Sequence, residues 1–275
     1  MLWSRYGALF LMLAGLASAA VADDAAPPPP SMPSPITDHF ALRGIYFLGH
    51  VATTGHVDPG NGFSGTNFNA EQLLGLTDEV YQPRIEIMFR LEQRGRLRVN
   101  FFDLRRNGAT VLGNQFQYGD ETFQYGDRLL SSFNWRQMDL TYTYSFLRTD
   151  HFELGAGAGV HLIEADATVA VPSTPNRTEF SGAGPFATVA LDGTWAISQR
   201  WAISARAQYL NLSIGSLSGT LADYHADAQY RWRRNMAFGL GYERSQAQLV
   251  VRDEDPSGVL RLTIRGPEAF VRVSF

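Results

Sequence analysis

Residues 221–245 read LADYHADAQYRWRRNMAFGLGYERS, and their alternation decides the fold. Ala222, Tyr224, Ala226, Ala228, Tyr230 and Trp232 alternate with Asp223, His225, Asp227, Gln229 and Arg231. A side-chain period of two belongs to a β-strand, whose successive residues point to opposite faces. After a tight turn at residues 233–235 the pattern resumes, with Met236, Phe238, Leu240 and Tyr242 opposite Ala237, Gly239, Gly241, Glu243 and Ser245. The two strands read as a hairpin with one apolar face and one charged face. A sandwich core would reject the charged face, because a buried charge must be paired or neutralised.

The same unit recurs along the chain. FELGAGAGVHLIEAD sets Phe152, Leu154, Ala156, Ala158, Val160 and Leu162 against Glu153, three glycines and His161. WAISARAQYLNLS sets Trp201, Ile203, Ala205, Ala207 and Tyr209 against Ser204, Arg206 and Gln208, and PRIEIMFRLEQ sets Ile85, Ile87, Phe89 and Leu91 against Arg84, Glu86, Met88 and Arg90. Short turns fall near 93–96, 148–151, 198–200 and 233–235; other connections, mostly longer, fall at 56–80, 107–129, 171–178, 215–219 and 253–257. These connections predict an all-β fold of about ten strands, with eight as the alternative, and an even number returns both ends to one side.

Short turns at one end and long loops at the other are what an up-and-down transmembrane β-barrel shows. In hydrocarbon every unpaired backbone group costs free energy, so strands cross only as a closed antiparallel cylinder without edges. Inside it, Arg84, Glu86, Arg90, Glu153, Arg206, Asp223, Asp227, Arg231 and Glu243 form the expected lumenal charge network, which predicts a plugged interior. Outside, Phe146, Phe152, Ile197, Trp201, Trp232 and Phe275 lie on the apolar parity beside the short turns or the terminus. Closing the sheet gathers them into an aromatic girdle at one membrane interface.

Composition narrows the function classes. The 275 residues carry a formal charge of −4, which argues against a nucleic-acid partner. Cys is absent, so there is no disulfide framework, thiolate metal site or Cys nucleophile. All 23 basic residues are Arg. Residues 1–22 read as a secretory signal peptide, with Arg5, an apolar run from Gly7 to Leu16, and small residues up to Ala22. Residues 23–38, rich in Pro, read as a periplasmic linker, and 39–275 as the barrel.

Several stretches, RGIYF, LGLTDE, FDLRRNG, TYTYSFLRTDHFELGAGAGVH, YLNLSIGSLSGTLAD and FGLGYERSQAQL, resemble those of a broad group of proteobacterial outer-membrane barrel proteins. The resemblance runs from about Phe40 to Phe275, and at fold level the chain is similar to small barrels of the OmpA, OmpX and OmpW kind. It implies place and fold, with no reaction attached. The terminal residues 266–275, GPEAFVRVSF, set Ala269, Val271, Val273 and Phe275 against Glu268, Arg272 and Ser274. That strand resembles the signal Gram-negative barrels present to their assembly machinery, with Val271, Val273 and Phe275 as its apolar positions.

Three features carry candidate chemistry. Asp223, His225 and Asp227 share one lumenal face, a spacing that orients a His between carboxylates for acid/base work; a hydrogen-bond network filling the lumen uses the same residues. His161 has no partner motif beside it in the sequence. The loop QFQYGDETFQYGD repeats FQYGD; Asp120, Glu121 and Asp127 suit a calcium ion by type, but EF-hand spacing is absent and a surface hairpin turning at Gly119-Asp120 is the expected reading. Gly155, Gly157 and Gly159 leave room for bulky lumenal neighbours. The expectation is therefore a non-enzymatic structural or surface-interaction barrel, monomeric, without cofactor or metal. Its partners would be outer-membrane lipid and lipopolysaccharide and the barrel assembly machinery. The alternatives are a narrow conduit for small or apolar molecules and a lipid-modifying enzyme.

Overall fold

The computed structural model describes residues 34–58, 66–113, 115–118, 121–172, 177–214, 217–251 and 257–275; the signal-peptide reading and nearly all of the linker reading lie outside them. Among the described residues the elements are β1 (Phe40–Asp58), β2 (Thr66–Asn69), α1 (Ala70–Leu74), β3 (Glu79–Leu91), β4 (Gly95–Val111), β5 (Phe116–Tyr118), β6 (Glu121–Phe123), β7 (Arg128–Arg148), β8 (Phe152–Ala170), β9 (Arg177–Ala196), β10 (Trp201–Ile214), β11 (Leu217–Arg233), β12 (Met236–Val251) and β13 (Ser257–Ser274). Ten of the strands make the wall, in the order β1, β3, β4 and β7 to β13, and β13 pairs back onto β1. Every neighbouring pair is antiparallel, so the sheet is a closed up-and-down barrel of ten strands. β2 adds to β1 at the long-loop end, and β5 with β6 forms a small hairpin joining Phe116 to Phe123.

The binary pattern inverts partway along the strands. On β4, Leu97, Val99 and Phe101 point outward and are followed by Asp103 and Arg105; inward, Arg96, Arg98 and Asn100 give way to Phe102 and Leu104. On β13 the outward Val271 and Ala269 give way to Arg265 and Arg261, while inward Arg272 and Glu268 give way to Ile264 and Leu262. The register puts the changeover on one level. Asp103, Arg136 and Glu164 are directly opposed across β4, β7 and β8, and Arg244, Arg265, His50 and Glu79 across β12, β13, β1 and β3. Below this rung an apolar belt faces out and charge is lumenal; above it the faces exchange, as they must where the surroundings change from hydrocarbon to water.

Beneath the rung, near the short turns, Phe146, Trp201, Trp232 and Phe275 are exposed on the outer surface, and Phe152 stands opposite Trp195 on the next strand. Phe275 lies 6.3 Å from Phe40 across the seam, and Trp201 lies 5.1 Å from Tyr230. Two wall pairings stop short: β3 and β4 beyond Ile85 and Phe101, β9 and β10 beyond Val189 and Tyr209. Pro83 and Pro185 sit just past these points, where one side of the strand has no ladder bond to lose.

Candidate functional site

The lumen is filled in three layers. At the short-turn mouth, residues 34–38 turn inward, with Thr37 N and Asp38 N both donating to Ser34 O. Ile36 is 1% exposed and Asp38 2%. Asp38 Oδ2 accepts from Arg231 Nη2 at 2.7 Å and Arg272 Nη2 at 2.9 Å, while Arg148 Nη2 donates to Ile36 O at 3.0 Å. The five residues that end the linker reading are thus packed against the mouth. Beside them, Arg90 donates to both Glu153 oxygens at 2.7 and 3.0 Å, and Ser145 Oγ donates to Glu153 at 2.5 Å. Arg96 bridges Glu153 at 3.3 Å and Asp192 at 2.8 Å.

The middle layer centres on Arg43, which stands 3.5 Å from Glu86, 3.2 Å from Asp227 and 3.3 Å from Glu268, with its guanidinium 3.8 Å from the centre of the Phe270 ring. Arg206 pairs with Glu86 and donates from Nε to His225 Nδ1 at 3.2 Å; His225 Nε2 meets Glu268 at 2.8 Å. Arg84 donates to Glu243 at 2.6 Å, its guanidinium held between the Phe47 and Phe102 rings at 3.9 and 4.0 Å. Arg suits these positions because its planar fork pairs with carboxylates and stacks on rings, and a buried charge survives only when paired.

The third layer is apolar. Phe47, Val51, Val80, Phe102, Leu104, Phe133, Leu262 and Ile264 line the wall at the long-loop half and pack on Ala70 and Leu76, from α1 and the segment after it. Asn69 caps α1 by accepting from Gln72 N, and Gly75 ends it at φ +64°, a left-handed conformation that suits glycine. Glu71 fastens the helix to the wall by accepting from Thr53 N at 2.9 Å and Arg106 Nη1 at 2.7 Å. Arg106 is 1% exposed.

Of the residues named from sequence, Glu86, Arg206 and Asp227 meet in the middle layer, Arg90 and Glu153 pair at the mouth, and Arg84 pairs with Glu243. Arg231 joins Asp38. Asp223 enters no ion pair among the described residues; with Arg98, Asn100, Asp139, Thr141, Gln208 and His225 it lines a small cavity of about 30 Å³, room for about two waters. The sequence reading missed Asp38, Arg43, Arg96, Asp192, Glu268 and Arg272 as members, although Glu268 and Arg272 stand on the charged parity of the last strand.

His225 therefore has Glu268 and Arg206 as its close partners; of the two flanking carboxylates named from sequence, Asp227 stands 3.6 Å from its Nδ1 and Asp223 is not a partner. His161 is fully buried, with Nδ1 2.6 Å from Asp139 Oδ1 and Nε2 2.9 Å from Gln208 Oε1. Its carboxylate comes from the directly opposed residue of β7. Both histidines are held inside the wall by side chains on every polar edge, which is how a lumen-filling network uses them. Gly155 leaves space for Asp192 and Arg96, and Gly159 for Gln208, Thr188 and Thr141, whereas Gly157 faces the backbone of Tyr142 and Thr143. In the FQYGD hairpin Asp127 accepts from Gln124 N at 2.7 Å and closes a turn; Gly119 and Asp120 lie outside the described residues.

No protein-family model matches the chain, and no curated protein sequence matches it. Among solved structures it is similar to the outer membrane protease OmpT of Escherichia coli, at 10% identity and a TM-score of 0.58, over 86% of this chain and 97% of that one. The fold is that of an outer-membrane β-barrel. The translocator domain of the autotransporter NalP of Neisseria meningitidis aligns at 10% identity and TM-score 0.46, over 85% of this chain and 88% of that one. The toluene transporter TodX of P. putida aligns at 8% and 0.32, over 85% and 90%. At these identities the likeness concerns architecture alone.

Proposed function

We propose that the protein is a monomeric, integral outer-membrane barrel with a sealed lumen, which acts as a structural element and presents a surface at its long-loop end. The observation that carries this reading is the triple filling of the lumen: Asp38 and its arginines at one mouth, the Arg43 and Arg84 clusters in the middle, and α1 with its apolar collar at the other. The apolar outer belt, bounded by aromatics at one end and by the charged rung at the other, supports placement in a bilayer with the short turns in the periplasm. The outward apolar Val271 and Val273 of β13, with Phe275 just after it, act in assembly, on the strand that closes against β1.

A conduit needs a continuous hydrated path, and the filled layers stand across it. A lipid-modifying enzyme needs a reactive group at the lipid face, whereas His225 points inward and is held by Glu268 and Arg206. Two measurements test the proposal together. An epitope placed in the 252–256 loop should be stained on intact cells. Proteoliposomes should swell in small sugars no faster than empty ones. Staining only after permeabilisation would reverse the orientation, and rapid swelling would reject the sealed lumen.

A further inference from the structure

The charged rung is balanced on one side of the barrel and unbalanced on the other. Across β4, β7 and β8 the sequence of opposed residues is Asp103, Arg136 and Glu164; Arg136 lies 3.9 Å from Asp103 and 3.3 Å from Glu164, so the cation has an acid on each flank. Across β12 and β13 the opposed residues are Arg244 and Arg265, both exposed on the outer face. Directly opposed like charges destabilise a strand pair, because Cβ atoms there stand only about 4.5–5.5 Å apart. Neither arginine has an ion pair within the chain among the described residues. On the far side of Arg265 stands His50, whose acids, Asp78 at 3.7 Å and the opposed Glu79, lie one strand further on. From this rung up to Arg261 the outward faces of β11, β12, β13 and β1 carry Arg244, Arg261, Arg265 and His50 with Gln246, Gln248, Thr263 and Thr54, and no carboxylate.

What lies below the pair identifies its counter-ion. Tyr224 stands directly opposite Arg244, and Tyr242, Pro267 and Leu48 sit beneath the two arginines on the same outer surface, at the top of the apolar belt. A ligand that places hydrocarbon against the belt and an anion at its edge is a lipid, and the anion that two adjacent guanidinium forks accept best is a phosphate. We infer that Arg244 and Arg265 form a binding site for the phosphate of an outer-leaflet lipid, with the phosphorylated diglucosamine lipid of lipopolysaccharide as its occupant. The site rests on the outer-membrane reading, since it needs the long-loop end at the cell surface. A phosphomonoester dianion neutralises both arginines at once and turns the repulsive pair into a bridged one. Arg261, on the same column and bonded to Gln248 Oε1 at 2.9 Å, extends the basic surface outward.

The test uses full-length protein in mixed micelles, with the midpoint of heat-driven loss of the compact electrophoretic form as readout. The probes are lipid A, dephosphorylated lipid A, phosphatidylglycerol and inorganic phosphate. Lipid A should raise the wild-type midpoint by about 3 °C or more, roughly the effect of a kcal/mol-scale contact in a domain this size. Dephosphorylated lipid A and inorganic phosphate should not. In the double variant Arg244→Gln, Arg265→Gln the gain should vanish, and in zwitterionic lipid alone this variant should be at least as stable as wild type because the repulsion is gone. Arg105→Gln, on the balanced side, should keep the full gain. An equal gain from dephosphorylated lipid A, or a gain retained by the double variant, would overturn the site; an equal gain from inorganic phosphate or phosphatidylglycerol would overturn its assignment to lipid A. Failure here with the surface epitope still stained would sink this inference and leave the barrel's placement standing.

Discussion

Glu153 is the place to cut the lumenal network. Its carboxylate is fully buried, accepts two hydrogen bonds from Arg90 and one from Ser145, and lies 3.3 Å from Arg96. Glu153→Ala leaves the buried Arg90 without a carboxylate, while Arg96 keeps Asp192. Removing one partner of a buried pair costs about 3–5 kcal/mol, because the other charge stays desolvated and unpaired. Removing both, as in Arg90→Met with Glu153→Leu, should cost clearly less than the single change, since the stranded charge goes too. The assay is urea unfolding of protein folded into lipid vesicles, followed by the emission of the barrel's Trp135, Trp195, Trp201 and Trp232. A loss below about 1 kcal/mol for Glu153→Ala, the range of a solvated surface pair, would refute the picture of a dry, charge-locked mouth.

Other perturbations separate facing, spacing and plugging. Leu240, 70% exposed on the belt, should cost about 2–4 kcal/mol as Leu240→Arg in lipid, and Ser245→Arg on the lumenal parity less; equal losses of folded fraction would reverse the facing. Gly157→Ala drives a methyl into the backbone of Tyr142 and Thr143 and should prevent pairing of β7 with β8, whereas Gly44→Ala meets nothing within 4 Å and should fold normally, both read as yield of the compact electrophoretic form. Asp38→Ala should free residues 34–38 and make them the first site of protease cleavage in folded protein; unchanged protection would show that Ile36 and the Arg148 contact suffice to hold them.

The wall was legible because a period of two survives in every long strand, and because charges on its second face exclude a sandwich core. Strand number followed from the alternation of short and other connections. What the sequence reading missed depends on register. Alternation alone makes the charged parity lumenal along the whole strand, yet at Asp103 and Arg265 the charges pass to the outer face and Phe102, Leu104, Ile264 and Leu262 fill the lumen. The stretch FFDLRR carries the signal, since its phenylalanines and charges exchange parity where the solvent changes. The acid beside His161 could not be found from its own strand, because Asp139 arrives by cross-strand pairing. Asp38 sits at the end of a Pro-rich stretch whose composition suggests unpacked chain, and α1 is too short to show a helical period.

The central claim is that a ten-stranded barrel has been closed from within. Single-molecule recording in planar bilayers tests it most directly, with insertion verified by the compact electrophoretic form of the same preparation. The account predicts a silent membrane for the unmutated protein at low applied voltage, whatever the salt. Large, stable, reproducible current steps would contradict it, and would mean that the Arg43 and Arg84 clusters line a passage and do not close one.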